Sequence, residues 1–236
     1  MPLRLSCVFG VASLLAASAS AQVFVGHVVM NDNYGPNPGG EFRAIVEPDF
    51  AFVPMATGTD FQFGLPAAPG RFETFCLEYM EALEFHIGAF RADLDIKTHS
   101  TNPAYSGGAM GGFNDPLDPR TAYLYDRFIN QALLTPYDYL VEANRQADAQ
   151  ALQAAIWFIE EEISEPLTGK ALDFFNEADA AVSSGAWTGL GDVRVLNLYQ
   201  ITDNGRVEYQ DVLVMVPAPG TVVMLGMGLL AARRRR

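Results

Sequence analysis

Cysteine is scarce in this chain, which has two among 236 residues, Cys7 and Cys76. Cys7 falls within residues 1–21, where a short basic start carrying Arg4 leads into an apolar stretch from Leu5 to Ala17, interrupted only by Ser6, Gly10 and Ser13. Ala19-Ser20-Ala21 then supplies the small residues of a cleavage site, so residues 1–21 read as a secretory signal peptide and the mature chain is expected to begin at Gln22. Cys7 stands near the start of the apolar stretch and not at a lipid-attachment position, which argues against a lipoprotein. Cys76 is then alone, and an internal disulfide is excluded. A lone thiol outside the cytoplasm is buried and inert, paired with another molecule, or held in some other covalent state. Internal repeats are absent, and so is a hydrophobic run of spanning length at the C-terminal end. The segment Thr221 to Ala232 holds about a dozen residues, against the roughly 20 that an ordinary membrane-crossing helix needs.

That short segment has a context. Val216-Pro217-Ala218-Pro219-Gly220 precedes it and four arginines, Arg233 to Arg236, end the chain, placed to hold it transiently at the inner membrane face. Pro-x-Pro, a short hydrophobic stretch and a polyarginine end, in that order, resemble the PEP-CTERM sorting signal, with Ala218 where that family usually has Glu. The resemblance implies a sorting tail over residues 217–236, cleaved by a membrane exosortase in a Gram-negative, exopolysaccharide-producing bacterium. Localisation follows: export through the inner membrane, transient anchoring by the C-terminal segment, then the cell surface or the extracellular space.

Positive charge is scarce as well, with 15 Lys+Arg against 28 Asp+Glu. Removal of Arg4 and the terminal arginines leaves a mature net charge of about −18, because neither segment carries an acid. Such a surface repels nucleic acid and anionic lipid and attracts cationic or amine-bearing partners in a salt-dependent way, although the same balance also serves solubility alone.

Apolar residues make up 50% of the chain, enough for a sizeable core in one domain or two intimately packed lobes over residues 22–216. From Val23 to about Phe75, short alternating runs such as Glu41-Phe42-Arg43-Ala44-Ile45-Val46 alternate with Pro and Gly clusters, which predicts strands joined by turns. Pro119 to Leu134 and Ala147 to Ile163 carry apolar residues at helical spacing, a Gly-rich loop from Ser106 to Asn114 precedes the first, and a shorter helix is predicted from Lys170 to Ser183. Val193 to Ile201 and Val207 to Val216 then read as strands around Thr202-Asp203-Asn204-Gly205-Arg206, a tight hairpin turn. Strands, helices, strands is the order of an α+β fold rather than a parallel α/β sheet.

Cys76 lies in Arg71-Phe72-Glu73-Thr74-Phe75-Cys76-Leu77-Glu78-Tyr79, whose alternation predicts a strand running from edge to core, with Phe72, Cys76 and Thr74 on one face. Seventy-seven residues on, Gln153 opens Gln153-Ala154-Ala155-Ile156-Trp157 on the second long helix, at the border of the stripe marked by Leu152, Ile156, Ile159 and Ile163. Trp157 is one turn further, and because helical side chains lean toward the N-terminus its indole is expected to shield Gln153. A thiolate held against a carboxamide carbon expels ammonia and leaves a thioester, given enforced proximity and donors for the oxyanion. Such a bond acylates one incoming amine and is consumed.

Phe75-Cys76-Leu77-Glu78, then Ala122-Tyr123-Leu124-Tyr125-Asp126-Arg127-Phe128, then Ala151-Leu152-Gln153-Ala154-Ala155-Ile156-Trp157-Phe158 resemble, in that order, the bacterial thioester domain family over roughly residues 70–165. The resemblance implies a β-rich lobe, sandwich or barrel, packed with a helical lobe. It also implies a Cys76–Gln153 thioester at their junction, with Phe75 and Trp157 packed around it. Such proteins capture nucleophiles at surfaces covalently, in adhesion or matrix attachment, by single use rather than turnover. The partners expected are an amine-bearing surface ligand or protein lysine, with exosortase for the tail and no nucleic acid. No cofactor and no metal is expected.

Other constellations compete. His86 and His99 follow Cys76, and a Cys–His pair would activate a thiol for hydrolysis, but no cysteine-protease signature surrounds Cys76 and structural roles suit both histidines. Asp93-x-Asp95 and Asn31-Asp32-Asn33 offer oxygen ligands, yet neither completes a calcium loop. Glu160-Glu161-Glu162 reads as the wet face of the Gln153 helix or an acidic rim steering cations. The alternative from a different class is a structural extracellular matrix protein that binds exopolysaccharide through exposed aromatics, with no formed thioester.

Overall fold

The computed structural model describes residues 23–31, 39–58, 70–81, 83, 85, 88–99 and 115–217. The signal peptide, the sorting tail beyond Pro217, His86 and the Gly-rich loop of residues 106–114 lie outside the described residues.

Seven strands, β1 (Val23–Asn31), β2 (Phe42–Val46), β3 (Arg71–Thr74), β4 (Phe90–Asp95), β5 (Val193–Thr202), β6 (Gly205–Glu208) and β7 (Val212–Met215), form one antiparallel sheet. Three helices, α1 (Pro119–Ile129), α2 (Glu142–Ile159) and α3 (Gly169–Ser183), fall between β4 and β5, giving the expected α+β order of strands, helices and strands. The sheet runs β3-β2-β1-β4-β5-β6, with β7 also on β5. Its far edges then meet: Leu77 N–H donates to Asp211 O (3.0 Å), Leu213 N–H donates to Phe75 O (3.2 Å), and Cys76 pairs with Val212. The extension of β3 is thereby stitched to β7, and the sheet closes into a barrel-like wall.

Alternation sorts the apolar residues into two cores. Val28, Phe42, Phe72, Phe90, Leu198 and Val212, one from each of six strands, turn into the wall's interior. On its outer side Phe75, Val195 and Leu213 meet Phe128, Leu152 and Phe174 of the helical layer. β7 is buried on both faces and reads as the continuous apolar run VLVM for that reason. Full burial of each such Phe or Leu contributes roughly 1.5–3 kcal/mol. At Gly26 the wall needs a glycine: φ is +127°, the β1–β4 register shifts there, and a Cβ would stand 2.6 Å from Phe50 Cα.

Three local expectations change. The second helix spans 142–159 rather than 147–163, because Glu161 takes φ 60° and ends it: Glu161 N–H donates to Phe158 O (3.3 Å) and Glu162 N–H to Trp157 O (2.8 Å). The first helix likewise stops at Ile129, with Gln131 at φ 52°. The run 207–216 is two strands, broken at Tyr209–Asp211, where the Asp211 carboxylate accepts from Leu198 N–H (3.2 Å) in place of a backbone carbonyl. The hairpin between β5 and β6 is present, pairing Thr202 with Gly205, and its positive φ (+108°) falls at Gly205.

Candidate functional site

The seam of the wall carries Cys76. Phe75 and Leu77 enter the core beneath the helices, and Cys76 between them projects to the opposite side, into the interior core. Gln153 comes from α2, and Trp157, one turn on, enters the same interior core as Cys76. The third contributor is the segment Gly39-Gly40-Glu41 before β2.

The Gln153 carboxamide lies flat on the backbone of Cys76. Cys76 N–H donates to Gln153 Oε1 (3.0 Å), and Gln153 Nε2 donates back to Cys76 O (2.8 Å). Gly40 N–H approaches the same Oε1 at 3.4 Å. Two backbone donors thus converge on the oxygen where negative charge would develop if the carbonyl carbon were attacked, and they need no reorganisation to serve. Cys76 is 5% exposed and Gln153 1%, so water is excluded from both. Gly39 is fitted to this packing: at φ +83° its missing Cβ would sit 2.2 Å from Trp157 Cη2 and 2.9 Å from Gln153 Cγ. Tyr79 closes on the indole edge-on, with centroids 4.9 Å apart. Trp157 Nε1 is buried without a hydrogen-bond partner among the described residues.

A buried ion pair holds the glycine segment to α2. Arg145, two turns before Gln153, gives Nε to Glu41 Oε2 at 2.8 Å and a second guanidinium bond to Oε1, while Tyr137 O–H donates to Oε2 (2.8 Å). Arg145 is 1% exposed and Glu41 0%. Burial pushes the Glu41 carboxyl above its ordinary range, against the pull of Arg145. Burial also pushes the Cys76 thiol well up, helped by the charge of Glu78, with a weaker opposing hydrogen bond from the Gln210 side chain. Glu78 and Asp211 are themselves raised well above the carboxylate range, first by burial and then by neighbouring acids.

The structure therefore brings Cys76, Gln153 and Trp157 together and leaves Phe75 out. Phe75, expected beside the Cys–Gln pair, faces the other core and stacks edge-on against Phe128 at 5.0 Å, because neighbours on an extended chain point to opposite sides. His99 serves elsewhere: its N–H donates to Asp211 Oδ2 (2.5 Å) and its Nδ1 lies 3.6 Å from Glu208. An upward-shifted thiol is also the reverse of what a Cys–His hydrolase requires. Asp93 accepts from Arg206 (2.8 Å) and Tyr199 O–H (3.2 Å), and no group of three metal-ligating side chains is assembled among the described residues. Glu160 and Glu162, expected on a wet face, are both 5% exposed; Glu160 accepts from Asp118 N–H (3.3 Å) and Glu162 from Tyr79 N–H (3.0 Å).

Gly39, Gly40, Glu41 and Arg145 complete the site, and the sequence reading passed over them. A paired glycine before a strand and an arginine on the apolar side of a helix were the available signals. No protein-family model matches the chain, and neither a curated protein nor a solved structure matches it.

Proposed function

We propose that this is an exported protein in which Cys76 Sγ and Gln153 Cδ join in an internal thioester that captures one amine nucleophile, anchoring the protein to a surface or to extracellular matrix. The single observation that carries this reading is the clasp of the Gln153 carboxamide on Cys76, with a second donor from Gly40 aimed at the same oxygen. Attack by sulfur on that carbon expels the nitrogen as ammonia; attack by an amine later expels the sulfur and leaves an amide at Gln153. Each charged intermediate forms on Oε1, between the two N–H groups. The dry surroundings protect the bond from hydrolysis until a nucleophile is delivered. The acidic surface favours an amine-bearing ligand or a lysine, and the C-terminal sequence supports exosortase processing and display in an exopolysaccharide matrix.

Intact-mass spectrometry tests this. The wild-type protein should be lighter by one ammonia, Cys76→Ala and Gln153→Ala should each have their full calculated mass, and methylamine should convert the wild type to a stable adduct. The second reading, a matrix protein with an unbonded thiol, is favoured by the burial that keeps an unbonded Cys76 neutral and unreactive. It predicts a full mass for the wild type and one thiol that titrates on unfolding.

A further inference from the structure

We propose that, on the reading of Cys76 and Gln153 as a thioester pair, Trp157 and Tyr79 form the passage by which the nucleophile arrives, and that the depth of this passage selects an unbranched primary alkylamine, the group a lysine side chain presents. The passage is read from packing. Trp157 stands one helical turn after Gln153, and the two side chains meet over Gly39, whose missing Cβ would lie 2.2 Å from Trp157 Cη2 and 2.9 Å from Gln153 Cγ. Tyr79 then packs edge-on against the indole, with 4.9 Å between ring centroids and 89° between planes. Exposure rises along this row, from 1% at Gln153 to 7% at Trp157 and 42% at Tyr79, so the row runs from the carboxamide to solvent. On its other sides the carboxamide meets the Cys76 backbone and Gly40 N–H, and its helix neighbours Leu152 and Ile156 are fully buried.

The two rings are held differently from the rest of the site. Gln153 is hydrogen-bonded to the Cys76 backbone and Glu41 to Arg145 and Tyr137, whereas Trp157 Nε1 has no hydrogen-bond partner, and the Tyr79 phenol no hydrogen bond, among the described residues. The backbone beneath Tyr79 is pinned instead: Tyr79 N–H donates to Glu162 Oε2 (3.0 Å), and two residues earlier Leu77 N–H donates to Asp211 O (3.0 Å). The Tyr79 ring therefore rests on one edge-to-face contact, a weak hold beside those hydrogen bonds. Rotation of a partly exposed side chain is fast, so the ring uncovers the indole without unpairing the backbone, and any loosening of the pinned stretch carries the ring away with it.

Depth then acts as a filter. An amine must pass the level of Tyr79 and lie beside the indole before its nitrogen touches Gln153 Cδ, so the carbon next to that nitrogen has to enter as well. Lysine carries its amine on a flexible four-carbon stem, slender enough for this and apolar enough to lie along the rings, with its ammonium drawn to the aromatic faces on the way in. An amine on a branched carbon, such as the ring amine of an amino sugar or a protein α-amine, brings its bulk to the same depth. In the capture step the amine nitrogen, as the free base, bonds to Cδ. The C–S bond breaks with its electron pair going to sulfur, and the proton leaving nitrogen ends on sulfur, which gives an amide and a thiol. Water passing the same rings would leave a carboxylic acid and a thiol instead, and the closed rings hold that loss down.

The test takes the full-length chain already short of one ammonia and follows capture by intact mass. It compares n-butylamine with sec-butylamine, isomers of closely similar basicity, each rate divided by that amine's rate on a small free thioester. After this correction the wild type should prefer the unbranched isomer by on the order of 10-fold, a readout that needs no variant to fold. Tyr79→Ala should abolish the preference and hasten hydrolysis, and Tyr79→Phe, which keeps the ring, should restore both. On the same corrected scale Nα-acetyl-lysine amide should outpace glucosamine, and its comparison with cadaverine tells a protein lysine from a free diamine, both of the proposed class. No corrected preference in the wild type, a preference that survives Tyr79→Ala, or glucosamine captured as fast as the lysine derivative overturns the passage while leaving the thioester standing. A wild type that never loses ammonia overturns both.

Discussion

At the scale of single residues, the site depends on a buried ion pair that is poor as a stabiliser and useful as a fixture. Two charges taken out of water recover little net energy from each other, yet removal of one partner leaves the other uncompensated. Arg145→Met should therefore cost about 3–5 kcal/mol by denaturant unfolding, and Glu41→Met combined with Arg145→Met should recover most of that. Both variants should still show less ammonia loss than wild type, because the Gly40 donor is no longer clamped at Gln153 Oε1. A double variant that recovers stability and forms the bond fully would remove the clamp from the account. What was legible at this scale was the pair itself: a lone cysteine and a glutamine one turn before a tryptophan. Glu41 and Arg145 were not legible, because their 104-residue separation gives no local pattern and charged residues are expected outside.

At the scale of elements, periodicity located the three helices among the described residues, and the errors lie at their ends. Ile163 continues the apolar stripe of α2, so the pattern ran past the true end at Ile159. The stop is made by Glu161 in the left-handed region, where a glycine would have announced it. A side chain there costs roughly 1–2 kcal/mol, so Glu161→Gly should raise stability by about 1 kcal/mol, read as a higher urea midpoint at unchanged m-value. The strand 207–216 was misread as continuous for a similar reason. The apolar residues on either side, Val207 and Tyr209 before and Val212 to Met215 after, read as one strand across Gln210-Asp211, while Asp211 side-chain bonds replace the ladder in space.

At the scale of the whole molecule, buried acids set the pH response. Glu160 is raised from 4.5 to about 8 by burial, and Glu41, Glu78, Glu162 and Asp211 are raised for the same first cause. Between 4.5 and about 8 the folded state holds the Glu160 proton that the unfolded chain has released, so this stability is complete below 4.5 and drains away as pH climbs. Thermal unfolding should give a higher Tm near pH 5 than near pH 8, and Glu160→Gln should flatten the profile by roughly 2–4 kcal/mol of its span. An unchanged slope in that variant would assign the effect to the other acids. The class of the fold was legible at this scale because strand and helix periods occupy separate stretches of chain; closure of the sheet was not, since it rests on a few bonds between residues 75–77 and 211–213. Those few bonds have a consequence for motion. Cys76 sits in that same joint, so parting of the Leu77 and Leu213 amides from their acceptors would release the chain on both sides of it at once, and on the thioester reading proposed above, breathing of the barrel and access to the bond are one event.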